Sequence, residues 1–349
     1  MEPVVAHELL NVEDDSPESV FALYEARGWG DGLPLVPPTP SRVDAMLAHA
    51  NGDPDEPLVI LQPRAGVVTR RVVAINCVLA GCAPEVFPVV LSAIRALAEP
   101  EVNLRGVNAT THPVATMVVV HGEAVTRCGF NAGAGAFGPG NRANATVGRA
   151  VRLILLHVAG AYPGTGDAST QGQPAKYSFC VAENLSASPW GSYAVSRGVD
   201  AASAVTVHCG EGPHNVHDME ALGDPKLILG KLASAMTSLG MNNAPISQGQ
   251  YFVALGPEHA QSLADAGLTR EDIASYLYEH ARMPARVFRR HFEELAWDGW
   301  MKICDDDVSL PMTGHPDNIR TFVVGGPGKH SCVVPSWGMT RSATLPITG

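Results

Sequence analysis

Gly133-Ala134-Gly135-Ala136-Phe137-Gly138-Pro139-Gly140-Asn141-Arg142 runs straight into an apolar-periodic segment, Ala143 to Ala161. It reads as a glycine loop that opens a helix. Such a loop leaves backbone N–H groups pointing at one spot, and the helix dipole adds partial positive charge there. Asn141 and Arg142 stand at the lip and can add an amide and a guanidinium. The spacing matches neither the Walker loop nor the dinucleotide fingerprint. The expectation is a site for a small carboxylate or phosphate, built from Gly138, Gly140, Asn141 and Arg142. A flexible or tightly packed glycine turn is the competing reading of the same residues.

Working outward, Val114 to Val120 precedes the loop as a strongly strand-like run. Leu58 to Leu61, Tyr177 to Ala182, Val205 to His208, Tyr251 to Leu255 and Arg320 to Val324 are further strand candidates. Ser16 to Arg27 reads as a capped helix with Pro17 in its first turn. Ser41 to Ala50, Val67 to Leu79, Pro84 to Leu97, Pro225 to Leu239 and Thr269 to Arg282 read as helices. This irregular alternation predicts a layered mixed sheet with helices, α/β or α+β. Thr111-His112-Pro113 and Gly314-His315-Pro316 each precede a strand that ends in a glycine turn. Two related halves would explain that; so would chance recurrence in a proline-rich chain. The division expected is 1–55 for N-terminal helices and a proline-rich arm, 56–200 for a first half, and 201–349 for a second.

With 349 residues and 46% hydrophobic content, the chain can bury a large core. The net charge of -11 disfavours nucleic acid. No apolar run is long enough to span a membrane. Met1 to Ser16 is acidic and polar, unlike a signal peptide. The seven cysteines are scattered, with no Cys-x-x-Cys pair, which fits free thiols in a reducing cytoplasm.

Chemistry-bearing residues collect at Gly-Pro turns after strands: Gly212-Pro213-His214, Gly256-Pro257-Glu258-His259, and Gly326-Pro327-Gly328-Lys329-His330. Ligands of layered α/β proteins sit at strand carboxyl ends, and histidine suits proton transfer near neutrality. His330, His214 and His112 are the acid/base candidates. Lys329 can grip an anion and lower the pKa of a Cys332 nucleophile, unless Cys332 is a buried packing residue. Asn108 enters the strongest strand with Thr110 and His112 and can line a cleft. His208, Glu211, His214 and His217 lie in the densest run of potential metal ligands. Their spacing fits no standard zinc pattern, so no metal or other cofactor is the first expectation and a loop-bound metal the alternative. Asp31 follows Trp29 in an arm that either supplies a carboxylate to a site or packs across a domain or a neighbouring subunit.

Five strings stand out as a set: Gly-Trp-Gly-Asp-Gly-Leu-Pro-Leu-Val-Pro-Pro-Thr (28–39), Ala-Thr-Thr-His-Pro (109–113), Phe-Gly-Pro-Gly-Asn-Arg-Ala-Asn-Ala-Thr (137–146), Gly-Pro-Glu-His-Ala (256–260) and Gly-Pro-Gly-Lys-His-Ser (326–331). Together they resemble a group of bacterial proteins related to, or found beside, the thiol-or-selenocysteine proteins named for a Sec/Cys-Gly-Ser-Cys motif. That motif itself is missing; Ser331-Cys332 is a fragment of it. The resemblance implies a redox or carbon–sulfur enzyme working with a small companion protein. The expectation is thus a cytoplasmic, homo-oligomeric lyase or oxidoreductase acting on a small anionic metabolite. A non-catalytic subunit of a thiol or selenol complex is the reading from a different class.

Overall fold

The computed structural model describes residues 9–219, 224–238, 240–243, 249–289 and 304–348. Its strands are β1 Pro57–Leu61, β2 Gly66–Thr69, β3 Ala115–Gly122, β4 Cys180–Ala182, β5 Ser203–Gly210 and β6 His214–His217, then β7 Tyr251–Leu255, β8 Arg282–Pro284, β9 Ser309–Pro311, β10 Ile319–Val323, β11 His330–Pro335 and β12 Ala343–Pro346. Two four-stranded sheets dominate, with orders β12-β5-β3-β4 and β10-β7-β11-β6. Helices pack outside them, so the fold is a layered mixed α/β one, as the alternation predicted. Among the described residues, no helix is long and apolar enough to cross a membrane.

The layers follow from strand periodicity. Met117 and Val119 on β3 cluster with Phe252 and Ala254 on β7 and Phe322 on β10, between the sheets. Val118 and Val120, one residue out of phase, face the other way. They pack with the helices Arg70–Ala80, Phe87–Leu97 and Arg142–His157. Tyr251, Val253 and Leu255 likewise join the helices Pro225–Ala235 and Arg270–His280. The order is helix, sheet, sheet, helix. Strands buried on both faces read as unbroken apolar runs, which is why Val114 to Val120 stood out.

The two sheets repeat one topology. β3 pairs parallel with β4 and antiparallel with β5; β7 pairs parallel with β10 and antiparallel with β11. The sequence similarity had set β3 beside β10, whereas the pairing makes β7 the counterpart of β3. Each fourth strand comes from the other half. β6, directly after β5, pairs with β11, and β12, directly after β11, pairs with β5. A boundary at residue 200 therefore does not separate the halves, because β5 and β12 both belong to the first sheet. The exchange crosses at a bridge between Gly210 and Ser336.

Some local readings shift. The helix expected from Val67 begins at Arg70, because Gly66–Thr69 pairs with β1 and the Thr69 side chain caps the helix. The expected strand from Tyr177 starts only at Cys180, after a 3₁₀ turn at Pro174–Lys176. His214–His217, read as a turn or metal loop, is an edge strand. The helix expected to end at Leu239 ends at Ala235; Leu239 itself lies outside the described residues.

A Cβ on Gly210 would stand 2.8 Å from the Pro335 carbonyl oxygen and 2.9 Å from His208 Nε2. Gly230, on the helix Pro225–Ala235, has open space there. Gly210→Ala should lose about 1–3 kcal/mol in chemical denaturation, the usual cost of overpacking. Gly230→Ala should lose nothing, since alanine is the better helix former. Equal stability of the two variants would show that the crossing tolerates a side chain.

Candidate functional site

The helix Arg142–His157 carries Arg149 and Arg152 towards its carboxyl end. After it, residues 159–177 form a long loop with little regular structure. The Tyr162 carbonyl accepts from the N–H groups of Thr165, Gly166 and Asp167, which turns the loop back on itself. Gly166 has no room for a Cβ, because the Gly160 carbonyl lies against it. This turn aims the Asp167 carboxylate inward, where it is 3% exposed.

That carboxylate gathers its neighbours. Lys176 Nζ donates to Oδ1 at 2.8 Å and Oδ2 at 2.6 Å, and Arg152 Nη2 donates to Oδ2 at 3.1 Å. Ser169 donates its hydroxyl at 2.6 Å and its backbone N–H at 3.1 Å to Oδ1. Lys176 Nζ also donates to Ser169 Oγ at 3.0 Å. Arg152 and Lys176 are 13% and 12% exposed. Burial would raise the Asp167 pKa, but the Lys176 and Ser169 hydrogen bonds outweigh it and hold the carboxyl below its ordinary value. Burial lowers the pKa of Lys176 and of Arg152 despite the opposing pull of Asp167.

The N-terminal arm closes the other side. Asp31 receives two hydrogen bonds from Arg149, at 2.8 and 2.9 Å, and Arg149 also donates to the Leu33 and Pro34 carbonyls. Tyr162 Oη donates to the Gly28 carbonyl at 3.2 Å. The arm thus packs against its own chain, and Asp31 is at the same time a carboxylate in the wall of the neighbouring cleft. Between arm and loop lies a cleft of about 580 Å³. Arg152, Asp167, Ser169 and Lys176 line it together with Leu156, Tyr162 and Tyr177. A cleft of this size suits a small ligand.

The residues singled out from sequence fall in four places. Asn108 lines a small cavity of about 20 Å³ together with Arg152 and Lys176, and its Nδ2 donates to the Gln62 carbonyl at 2.8 Å. A space of that size holds one water. His112 Nε2 lies 3.0 Å from Glu211 Oε1, and its buried Nδ1 has no hydrogen-bond partner among the described residues. Gln173, which lines the cleft, donates to the Pro113 and Gly210 carbonyls beside this pair.

The glycine loop before the long helix is a largely exposed turn held by its own hydrogen bonds. Asn141 Oδ1 caps the helix by accepting from Asn144 N at 3.0 Å, and its Nδ2 donates to the Gly129 carbonyl. Arg142 donates to the Gly81 and Cys82 carbonyls, at the end of the helix Arg70–Ala80, rather than presenting a free fork. Gly138 N donates within the loop to the Gly135 carbonyl, and Gly140 takes a φ of 104°. The two glycine loops do meet. Gly325 N donates to the Ala132 carbonyl at 2.8 Å, and a Cβ on Gly326 would come within 2.7 Å of Ala134.

His214, His217, His330 and Cys332 stand on β6 and β11, in the other sheet. His330 faces His217 across the ladder and bonds Asn215 Oδ1 at 3.1 Å. Lys329 offers its carbonyl to Asp218 N at 3.1 Å. Burial pushes the Cys332 thiol up to about 12, leaving little thiolate at neutral pH. His208 is buried between the sheets, stacked 4.1 Å from Phe252, and burial pushes its pKa down to about 3. His208, Glu211, His214 and His217 thus point to different surroundings. Among the described residues, no three His, Cys, Asp or Glu side chains are grouped to hold a metal ion.

Arg152, Asp167, Ser169 and Lys176 were not picked out from sequence. Two signals were available: a long polar segment of Gly, Ser, Thr and Gln between apolar runs, and arginines inside a helix that is otherwise buried. Neither the protein-family models nor the curated proteins give a match to this chain.

Among the described residues, Asp167 is the carboxylate that Arg152 and Lys176 share. Asp167→Asn should therefore destabilise the protein by about 3–5 kcal/mol at neutral pH, the usual penalty for leaving buried charges unpaired. Its folded pKa lies below the unfolded one, so the contribution is complete above the ordinary carboxylate range. It disappears as pH falls through the folded value. Denaturation midpoints measured against pH should show the gap between wild type and variant constant near neutrality and shrinking below about pH 4. A gap that widens on acidification would contradict this assignment.

Proposed function

We propose that the cleft between the arm and residues 159–177 binds a small anionic metabolite, and that the protein is an enzyme acting on it. One observation carries the reading: on the wall of a ligand-sized cleft two cations, Arg152 and Lys176, share one carboxylate, Asp167, while Asp31 is already paired with Arg149. One positive charge is left over in a half-buried setting, where a ligand carboxylate or phosphate gains most from it. Arg152 supplies the planar fork and Lys176 a point charge. Leu156, Tyr162 and Tyr177 offer apolar contact to the rest of the ligand.

The His112–Glu211 pair, reached through Gln173, is the acid/base group that this reading keeps from the sequence. The carboxylate orients the imidazole. His214, His330, Cys332 and Lys329 stand on the other sheet and have no part in it. Lyase or oxidoreductase chemistry on the anion is the class proposed.

Calorimetric titration with short carboxylates and phosphate esters tests the reading. Arg152→Ala should weaken the tightest of them roughly ten- to hundredfold, the worth of one charge-assisted contact. Arg152→Lys should fall between, and circular dichroism should show both variants folded. Unchanged affinity in a folded Arg152→Ala protein, or tighter binding of neutral analogues, overturns the proposal.

A further inference from the structure

Lys176 has a second capacity besides its charge. Its amine lies at a cleft wall, is largely buried, and touches both a carboxylate and a hydroxyl. We propose that Lys176 forms a Schiff base with the carbonyl of a 2-oxo acid whose carboxylate is held by Arg152. The inference rests on the reading of the cleft as an anion site and names the class of anion.

The geometry supplies each part. Arg152 and Lys176 reach the same Asp167 Oδ2, at 3.1 and 2.6 Å, so the two cations are immediate neighbours. A 2-oxo acid carries its carboxylate and its electrophilic carbon on adjacent atoms, matching that spacing. Asp167 and Ser169 both hydrogen-bond the amine and each other, which gives protons a short route in and out. Burial lowers the Lys176 pKa, and the Arg152 charge acts in the same direction. A lysine desolvated beside another cation is the usual form of an amine nucleophile.

The step balances without a cofactor. The Lys176 ammonium gives one proton to Asp167, and its freed lone pair forms a C–N bond with the 2-carbon. The C=O π pair moves to oxygen, which takes the proton back from Asp167. A second proton passes from nitrogen to that oxygen, through Ser169 Oγ, and water leaves. The product is a protonated C=N linkage to Lys176 plus one water. This iminium then withdraws electrons from the substrate's C3–H bond.

Trapping tests it on the full chain. Pyruvate, 2-oxoglutarate and phenylpyruvate are each incubated with the protein and cyanoborohydride, followed by peptide mass mapping. The expected result is one saturable adduct on Lys176, heavier by the oxo acid less one oxygen, with at least one of the three. Lys176→Arg, which keeps the charge, should lose the adduct even at concentrations of the oxo acid raised until binding saturates. Lys226→Arg, at an exposed site, should retain it. Saturable binding without a Lys176 adduct overturns the Schiff base and leaves the anion site standing. Adducts spread over surface lysines and unaffected by Lys176→Arg also overturn it. No saturable binding of any carboxylate overturns the anion site and this inference together.

Discussion

Strand exchange is the constraint on which the architecture rests. β5 and β11 each build one sheet and then run on into the fourth strand of the other. Neither sheet is complete without chain from the other half, so the sheets are locked face to face. The locking demands a close backbone approach where the strands cross, and Gly210 meets it. It also encloses polar groups between the sheets. His121 bridges Glu183 at 2.8 Å and Thr206 at 2.9 Å, and Glu183 further accepts from Tyr193 N. Glu183 is fully buried, so these bonds must be satisfied together or the layer loses its register.

From this platform the cleft follows by short steps. Gly148 lets the helix Arg142–His157 press against Phe179, just before β4. That contact fixes Arg149 and Arg152 relative to the first sheet. The Thr170 N–H bonds the Thr111 carbonyl at 2.9 Å, and Gln173 ties to Pro113 and Gly210. The long loop is therefore pinned to the start of β3 and the end of β5. A site built on elements this fixed is more exact than one carried by the loop alone.

Much of the fold was legible because its signals are local. Tyr251 to Leu255 coincides with β7, and Ser16 caps its helix as its sequence says. The repeat was visible only as a hint, since sheet order depends on which strands pair, and His-Pro dipeptides do not encode that. The site was less legible. Glycine density pointed at Gly133 to Arg142, but that loop stands largely exposed, with Gly135 and Gly140 at positive φ, and the Arg142 guanidinium donates to the end of a neighbouring helix. Arg149 finds Asp31 from 118 residues away, and Lys176 finds Asp167 across a loop whose path no periodicity reveals. Asn108, expected to line a cleft, lies in the lining of a small cavity beside Arg152 and Lys176.

The Asp167 cluster also bears on why these charges persist. An internal ion group is weak support for stability, because well-packed apolar residues of the same volume usually do as well or better. Arg152 and Lys176 each lose hydration in their present positions, which their lowered pKa values record. Stability alone gives no reason to hold two such cations on one carboxylate. A structural role would also be served by a sealed cluster, yet Arg152, Asp167, Ser169 and Lys176 all reach the cleft surface. On the proposed reading, a ligand anion would balance the one positive charge by which Arg152 and Lys176 exceed Asp167. The hydrogen bonds to Asp167 already hold both cations oriented, which is the preorganisation that the proposed anion site needs.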